Sequence, residues 1–101
     1  MTKWADYCIF AVRFNPRHTH IDRVQAYPDK GESLGSPVEF ARADVVANVK
    51  AGTTFVTIFK DTDGKWKLGS RVLVINIRGT DYIKTKNDAT EADNLDNLPE
   101  F

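Results

Sequence analysis

Residues 4–14, "WADYCIFAVRF", decide the fold. Alternation puts Cys8, Phe10, Val12 and Phe14 on one face and Tyr7, Ile9 and Ala11 on the other, so both faces are apolar. A strand of that kind is covered on both sides and belongs at the centre of a sheet. Outward from it, "NPRH" (15–18) reads as a turn. Residues 20–27, "HIDRVQAY", read as a second strand with poorer alternation and more polar side chains, which suits an edge. "PDKGESLGSP" (28–37) holds two prolines and two glycines and reads as a surface loop of one domain.

"SPVEFARADVVANVKAG" (36–52) carries the helix. Ser36, Pro37 and Glu39 fit a capping box with proline at the first helical position. Val45, Val46 and Val49 form an apolar stripe, and Gly52 can serve as the left-handed stop. The helix begins at Pro37 or only after Phe40, because three valines lower intrinsic helicity and little but Phe40 and Ala41 extends the stripe backward. From Thr53 alternation resumes: "TTFVTIF" (53–59), the turn "KDTDGKWKLGS" (60–70), "RVLVINI" (71–77), a two-residue turn at Arg78 and Gly79, and "TDYIKT" (80–85). The predicted order is ββαβββ. It implies an α+β fold: a bent or partly closed five-stranded antiparallel sheet, with the single helix plugging an open side or end.

The 101 residues, 42% hydrophobic, suffice for one core and not two, so residues 1–101 are expected to form a single domain. No apolar run approaches the ~20 residues that cross a bilayer. Acidic Asp6 falls where a signal peptide would start its apolar stretch, so a cytoplasmic protein with no membrane partner is expected. Cys8 is the only cysteine, which excludes an internal disulfide and a cysteine-built zinc cage. The zero net charge hides an asymmetry. Residues 1–86 hold all 14 basic residues and nine of the 14 acidic ones, a net of +5. Asp88, Glu91, Asp93, Asp96 and Glu100 then give residues 87–101 a net of −5, so body and tail should attract.

Four features occur together: "IFAVRF" at 9–14; Gly52, Phe55 and Thr57 as G-x-x-F-x-T after the helix; Tyr82, Ile83 and Thr85 as Y-I-x-T; and Asp93, Asn94, Leu95, Leu98 and Pro99 as a closing DNL-x-x-LP. In these the chain resembles domain-of-unknown-function family 3892, small bacterial proteins whose pattern runs over essentially the whole length. The resemblance implies a capping Ser or Thr before the helical arginine, where this sequence has Ala41 before Arg42. It implies no activity, substrate or cofactor.

His18 and His20 stand two apart and would share a strand face with Asp22, but no third histidine or second cysteine completes a metal set, so none is expected. "DTDG" (61–64) lacks the spacing and closing Glu of a calcium loop and reads as a hairpin turn. With no nucleophile in an activating context and no glycine-rich phosphate loop, no catalytic residue, no enzyme and no cofactor is expected. The candidate contact surface is Lys60, Lys65, Trp66, Lys67 and Arg71, with Arg78, Lys84 and Lys86 beyond it. An exposed Trp among lysines can stack on an unpaired base while the cations meet phosphate. Alternatively, Trp66 folds over the end of the core with lysine stems beside it.

"DNLDNLPEF" (93–101) is the candidate docking segment. Leu95 and Leu98 fall on one side of a single turn, Asp93 can cap it and Pro99 ends it. Burying two leucines contributes about 3–6 kcal/mol, close to the ordering cost, so charge attraction decides. Three roles compete: a clasp on the domain's own sheet, an exposed peptide read by a partner, and an acidic mask over a basic nucleic-acid surface. The expectation is a non-catalytic binding or protein-interaction module with an unidentified protein partner, monomeric or weakly dimeric through the second strand. The alternative is a single-stranded nucleic-acid-binding module using the basic-aromatic hairpin.

Overall fold

The computed structural model describes residues 4–17, 20–31, 33–85, 93, 95 and 98–101. Its elements run β1 (Tyr7–Phe14), β2 (Ile21–Pro28), β3 (Val38–Ala41), α1 (Arg42–Lys50), β4 (Phe55–Lys60), β5 (Trp66–Arg71), β6 (Leu73–Ile77) and β7 (Thr80–Lys84). Among the described residues the fold is α+β with one helix. A five-stranded sheet has the order β3-β2-β1-β4-β5, and β6–β7 forms a separate two-stranded hairpin. The five strands do not close into a barrel.

The central position of β1 follows from its two apolar faces, with β2 antiparallel on one flank and β4 parallel on the other. That parallel pair corrects the expectation of an all-antiparallel sheet. The cause is β3, a four-residue strand lying where a capping box was expected. Pro37 precedes it, Val38 to Ala41 pair with Ala26 to Arg23, and β3 rather than β2 is the sheet's edge. Each strand and the helix reverses the chain, so the added reversal delivers β4 in the direction of β1. The flank of β2 offered for dimerisation is therefore already paired over Arg23–Ala26.

Helix α1 starts at Arg42, and its N-cap, Ala41, makes no side-chain capping bond. The other end follows the sequence. Gly52 takes φ 101°, the Gly52 N–H reaches the Val49 carbonyl at 3.1 Å, and Val45 is buried with Val46 and Val49 against the core. A second departure is β5, read as part of a long turn. The turn spans only the residues between Lys60 and Trp66, and Val72 then breaks the chain between β5 and β6 by donating its N–H to the Phe55 carbonyl at 2.9 Å.

A register shift between Ile9 and Ala11 places a bulge at Phe10. It inverts the alternation, so Tyr7, Ile9, Val12 and Phe14 face the larger core while Cys8 and Phe10 face a smaller one. Val12 and Phe14 thus lie on the face opposite to that expected. The larger core joins β1, β2 and β4 to α1 through Ile21, Val24, Val45, Phe55 and Ile83, with Leu95 and Leu98 inserted in it. Helix α1 packs against β2, β3, β6 and β7. The smaller cluster, Cys8, Val56 and Ile58 with Trp4, Phe10, Tyr27 and Trp66, occupies the other face.

Candidate functional site

Strands β1 and β4 stay paired only from Tyr7–Ile9 against Phe55–Thr57. Beyond that point β4 leaves with β5, and the vacated flank of β1 is taken by the C-terminal residues. Val12 donates its N–H to the Pro99 carbonyl at 2.9 Å and accepts from the Phe101 N–H at 3.0 Å, forming a parallel bridge with Glu100. Between this segment and β4 lies a cleft of about 560 Å³, lined by Phe10, Ala11, Tyr27, Phe59, Lys60, Trp66 and Pro99.

Aromatic side chains form much of the wall. Phe10 and Tyr27 stack with centroids 4.4 Å apart, and Trp66 meets Tyr27 edge-on at 5.7 Å and Phe10 at 6.0 Å. The Lys60 ammonium lies 5.0 Å from the Trp66 ring centroid, over its face. Phe59 and Leu68 project from the same hairpin with 49% of their surface exposed. The hairpin itself is held by Asp61, whose Oδ1 accepts from the N–H groups of Asp63 at 2.9 Å and Lys65 at 3.0 Å, while Gly64 takes φ 75°.

Of the five candidate contact residues, Lys60 and Trp66 meet at the cleft. Lys65 lies at the exposed turn, Lys67 approaches the Asp61 carboxylate at 3.5 Å, and Arg71 stands opposite Val56 at the far end of β5. Trp66 is half-buried against the smaller core rather than projecting. Arg78 is exposed at φ 51° in the β6–β7 turn, whereas Lys84 is buried beside Tyr82. Lys86 and His18 lie outside the described residues. Sequence reasoning missed Phe10, Tyr27 and Phe59; the pairing of Cys8 with Tyr27, which sets Tyr27 beside Phe10 on the Cys8 face, depends on the register between β1 and β2.

The docking segment centres on Asp93, whose side chain is fully buried. Its Oδ2 accepts from the Ile21 N–H at 2.8 Å and Arg42 Nε at 2.8 Å, and its Oδ1 from the Ile83 N–H at 2.8 Å and Arg42 Nη2 at 3.1 Å. One carboxylate thus joins the start of β2, the first residue of α1 and β7. Hydrogen bonding to Asp93 pushes the Arg42 guanidinium further above its ordinary value, against the opposing effect of burial. Arg42 Nη2 also donates to the Asp81 carbonyl. The Asp81 carboxyl sits below the usual range, chiefly through its bond from Lys50 at 2.5 Å and then from Asn76 at 3.1 Å. His20 lies 3.8 Å from Asp93 and stacks on Tyr82 at 5.6 Å. Leu95 and Leu98 are buried, and Pro99 is exposed beside the cleft. Asn94, Asp96 and Asn97 lie outside the described residues.

A family model described as "Protein of unknown function (DUF3892)" matches residues 8–99. The chain belongs to that family. The match runs from β1 through Pro99 and so includes the cleft and Asp93. No curated protein and no solved structure matches the chain. No helix among the described residues is long and apolar enough to cross a membrane.

Proposed function

We propose that this family member is a non-catalytic protein-interaction module that binds an extended peptide in the cleft between β4 and the C-terminal strand. The observation that carries this reading is the seam itself: two segments, both parallel to β1, separate around an apolar cleft rimmed by Lys60 and the exposed Phe59. An apolar anchor with acidic neighbours on the peptide complements such a site. Lys65 and Arg71 add positive charge along the hairpin, whereas Lys67 is paired with Asp61. The same cations favour a second reading, binding of single-stranded nucleic acid. Against it, Lys60 covers one face of Trp66, and Phe10 and Tyr27 pack against the ring, which leaves little of it for base stacking.

Selection from a random peptide library tests the reading. The expected consensus pairs an aromatic or large aliphatic residue with Asp or Glu, and its binding weakens at least tenfold on Phe59→Ser or Lys60→Glu. Selected peptides indifferent to both substitutions sink the proposal. Shifts at Trp66 on adding a mixed single-stranded oligonucleotide, reversed by salt, favour the second reading instead.

A further inference from the structure

The segment Pro99–Phe101 is held by β1 as a peptide ligand would be. Both backbone groups of Val12 are committed to it, at 2.9 Å to Pro99 and 3.0 Å from Phe101. Arg13 adds two contacts of its own: its Nε donates to the Phe101 carbonyl at 2.9 Å, and its guanidinium lies 4.6 Å from the Phe101 ring centroid. Pro99 fits its position for a reason in β1. In the parallel register set by Val12 and Glu100, the N–H of residue 99 would point to the rung at Phe10, where the bulge disturbs the strand, and proline brings no N–H there. Pro99 then forms part of the cleft wall, so the seat on β1 and the cleft are continuous.

We propose that this flank of β1 is a parallel strand-addition site for a partner peptide with proline and, two residues later, an aromatic residue, and that the chain's own Pro99–Phe101 occupies it as a resident competitor. This rests on the peptide-binding reading above and names the partner's chemistry. Specificity rests on two contacts, proline at the rung beside the bulge and an aromatic ring under Arg13, with the exposed Glu100 position between them. A tethered segment acts at an effective concentration of the order of millimolar. A partner outcompetes the intact segment by also placing an apolar side chain in the cleft between Phe59 and Trp66, which the resident segment leaves open, whereas a resident segment weakened at Phe101 yields to a peptide of its own sequence.

The test uses the full chain carrying Phe101→Ala, which removes the ring under Arg13 and keeps Asp93, Leu95 and Leu98. The probe is a synthetic peptide with the sequence of residues 95–101, titrated into isotope-labelled protein and read at the Val12 and Arg13 amides. Saturable shifts are expected at both, at least tenfold tighter than in the unsubstituted chain. Adding Arg13→Ala, or changing the aromatic residue of the peptide to Ala, should weaken binding about tenfold. Absence of saturable shifts at Val12 and Arg13 overturns the inference, provided the amide spectrum remains that of the folded protein. Should Phe101→Ala unfold the chain, Pro99→Ala in the full chain is titrated instead, with the same two readouts. Library peptides that bind through Phe59 and Lys60 while the tail peptide leaves Val12 and Arg13 unmoved would overturn this inference and leave the cleft reading intact. The reverse pattern would overturn only the cleft reading.

Discussion

Replacing Asp93 by Asn should be among the most damaging isosteric changes in the chain. Each carboxylate oxygen accepts two bonds, one from a backbone N–H and one from Arg42. Whichever oxygen becomes an amide NH2, one backbone donor and one guanidinium donor then face another donor. The backbone N–H left unsatisfied costs about 1–3 kcal/mol. Breaking a buried ion pair from one side costs about 3–5 kcal/mol, and the lower end applies because Arg42 retains 26% side-chain exposure. These overlap rather than add, giving a loss of about 3–4 kcal/mol. At about 4–8 °C per kcal/mol for a domain of this size, Tm should fall by at least about 12 °C. Urea unfolding followed by circular dichroism measures the free energy directly. Arg42→Met should cost a similar amount, and the double variant should cost clearly less than the two singles together, since neither charge is then left alone. A loss below about 1 kcal/mol, or strict additivity, would refute the assignment of Asp93 as the joint between β2, α1 and β7.

Burial, reinforced by Asp29, pushes the Cys8 thiol up from 9.0 to about 12. Its raised folded value means the contribution to stability is complete below about pH 9 and is lost as pH rises toward 12; Cys8→Ala should remove that slope, and a thiol reagent should modify the native protein only through unfolding. At Gly69 an added Cβ would lie 2.9 Å from the Thr57 carbonyl oxygen, so Gly69→Ala should cost about 1–3 kcal/mol by urea unfolding, whereas Phe59→Ser, at an exposed position, should change stability by no more than about 0.5 kcal/mol. Asp81 should titrate below the ordinary carboxylate value in carboxyl-detected NMR and return toward it in Lys50→Ala. Its depressed value means that this contribution is present above the unfolded value of 3.8 and is lost as pH falls through the folded one.

What the sequence made legible is what local chemistry controls. The central place of β1 follows from its two apolar faces, the end of α1 from Gly52, the valine stripe from its spacing, and the β6–β7 turn from Arg78 and Gly79, both at positive φ. What stayed hidden depends on partners distant in the chain. β3 contains two exposed residues and reads as a helix start until β2 supplies its ladder. β5 contains Lys67, Gly69 and Ser70, poor strand formers, yet Gly69 is required because Thr57 leaves no room for a side chain and uses its hydroxyl to accept the Ser70 N–H at 2.9 Å.

The bulge at Phe10 matters most for the candidate site. Phe10 stays on the face of Cys8, toward Tyr27 and Trp66, while the bulge returns Val12 to the larger core, and it lies beside the rung where Pro99 takes its place next to β1. A regular strand would have kept Val12 on the face of Phe10, out of the core that receives Leu95 and Leu98. The bulge thus lets one strand give Phe10 to the aromatic cleft and, two residues on, Val12 to the core that receives Leu95 and Leu98.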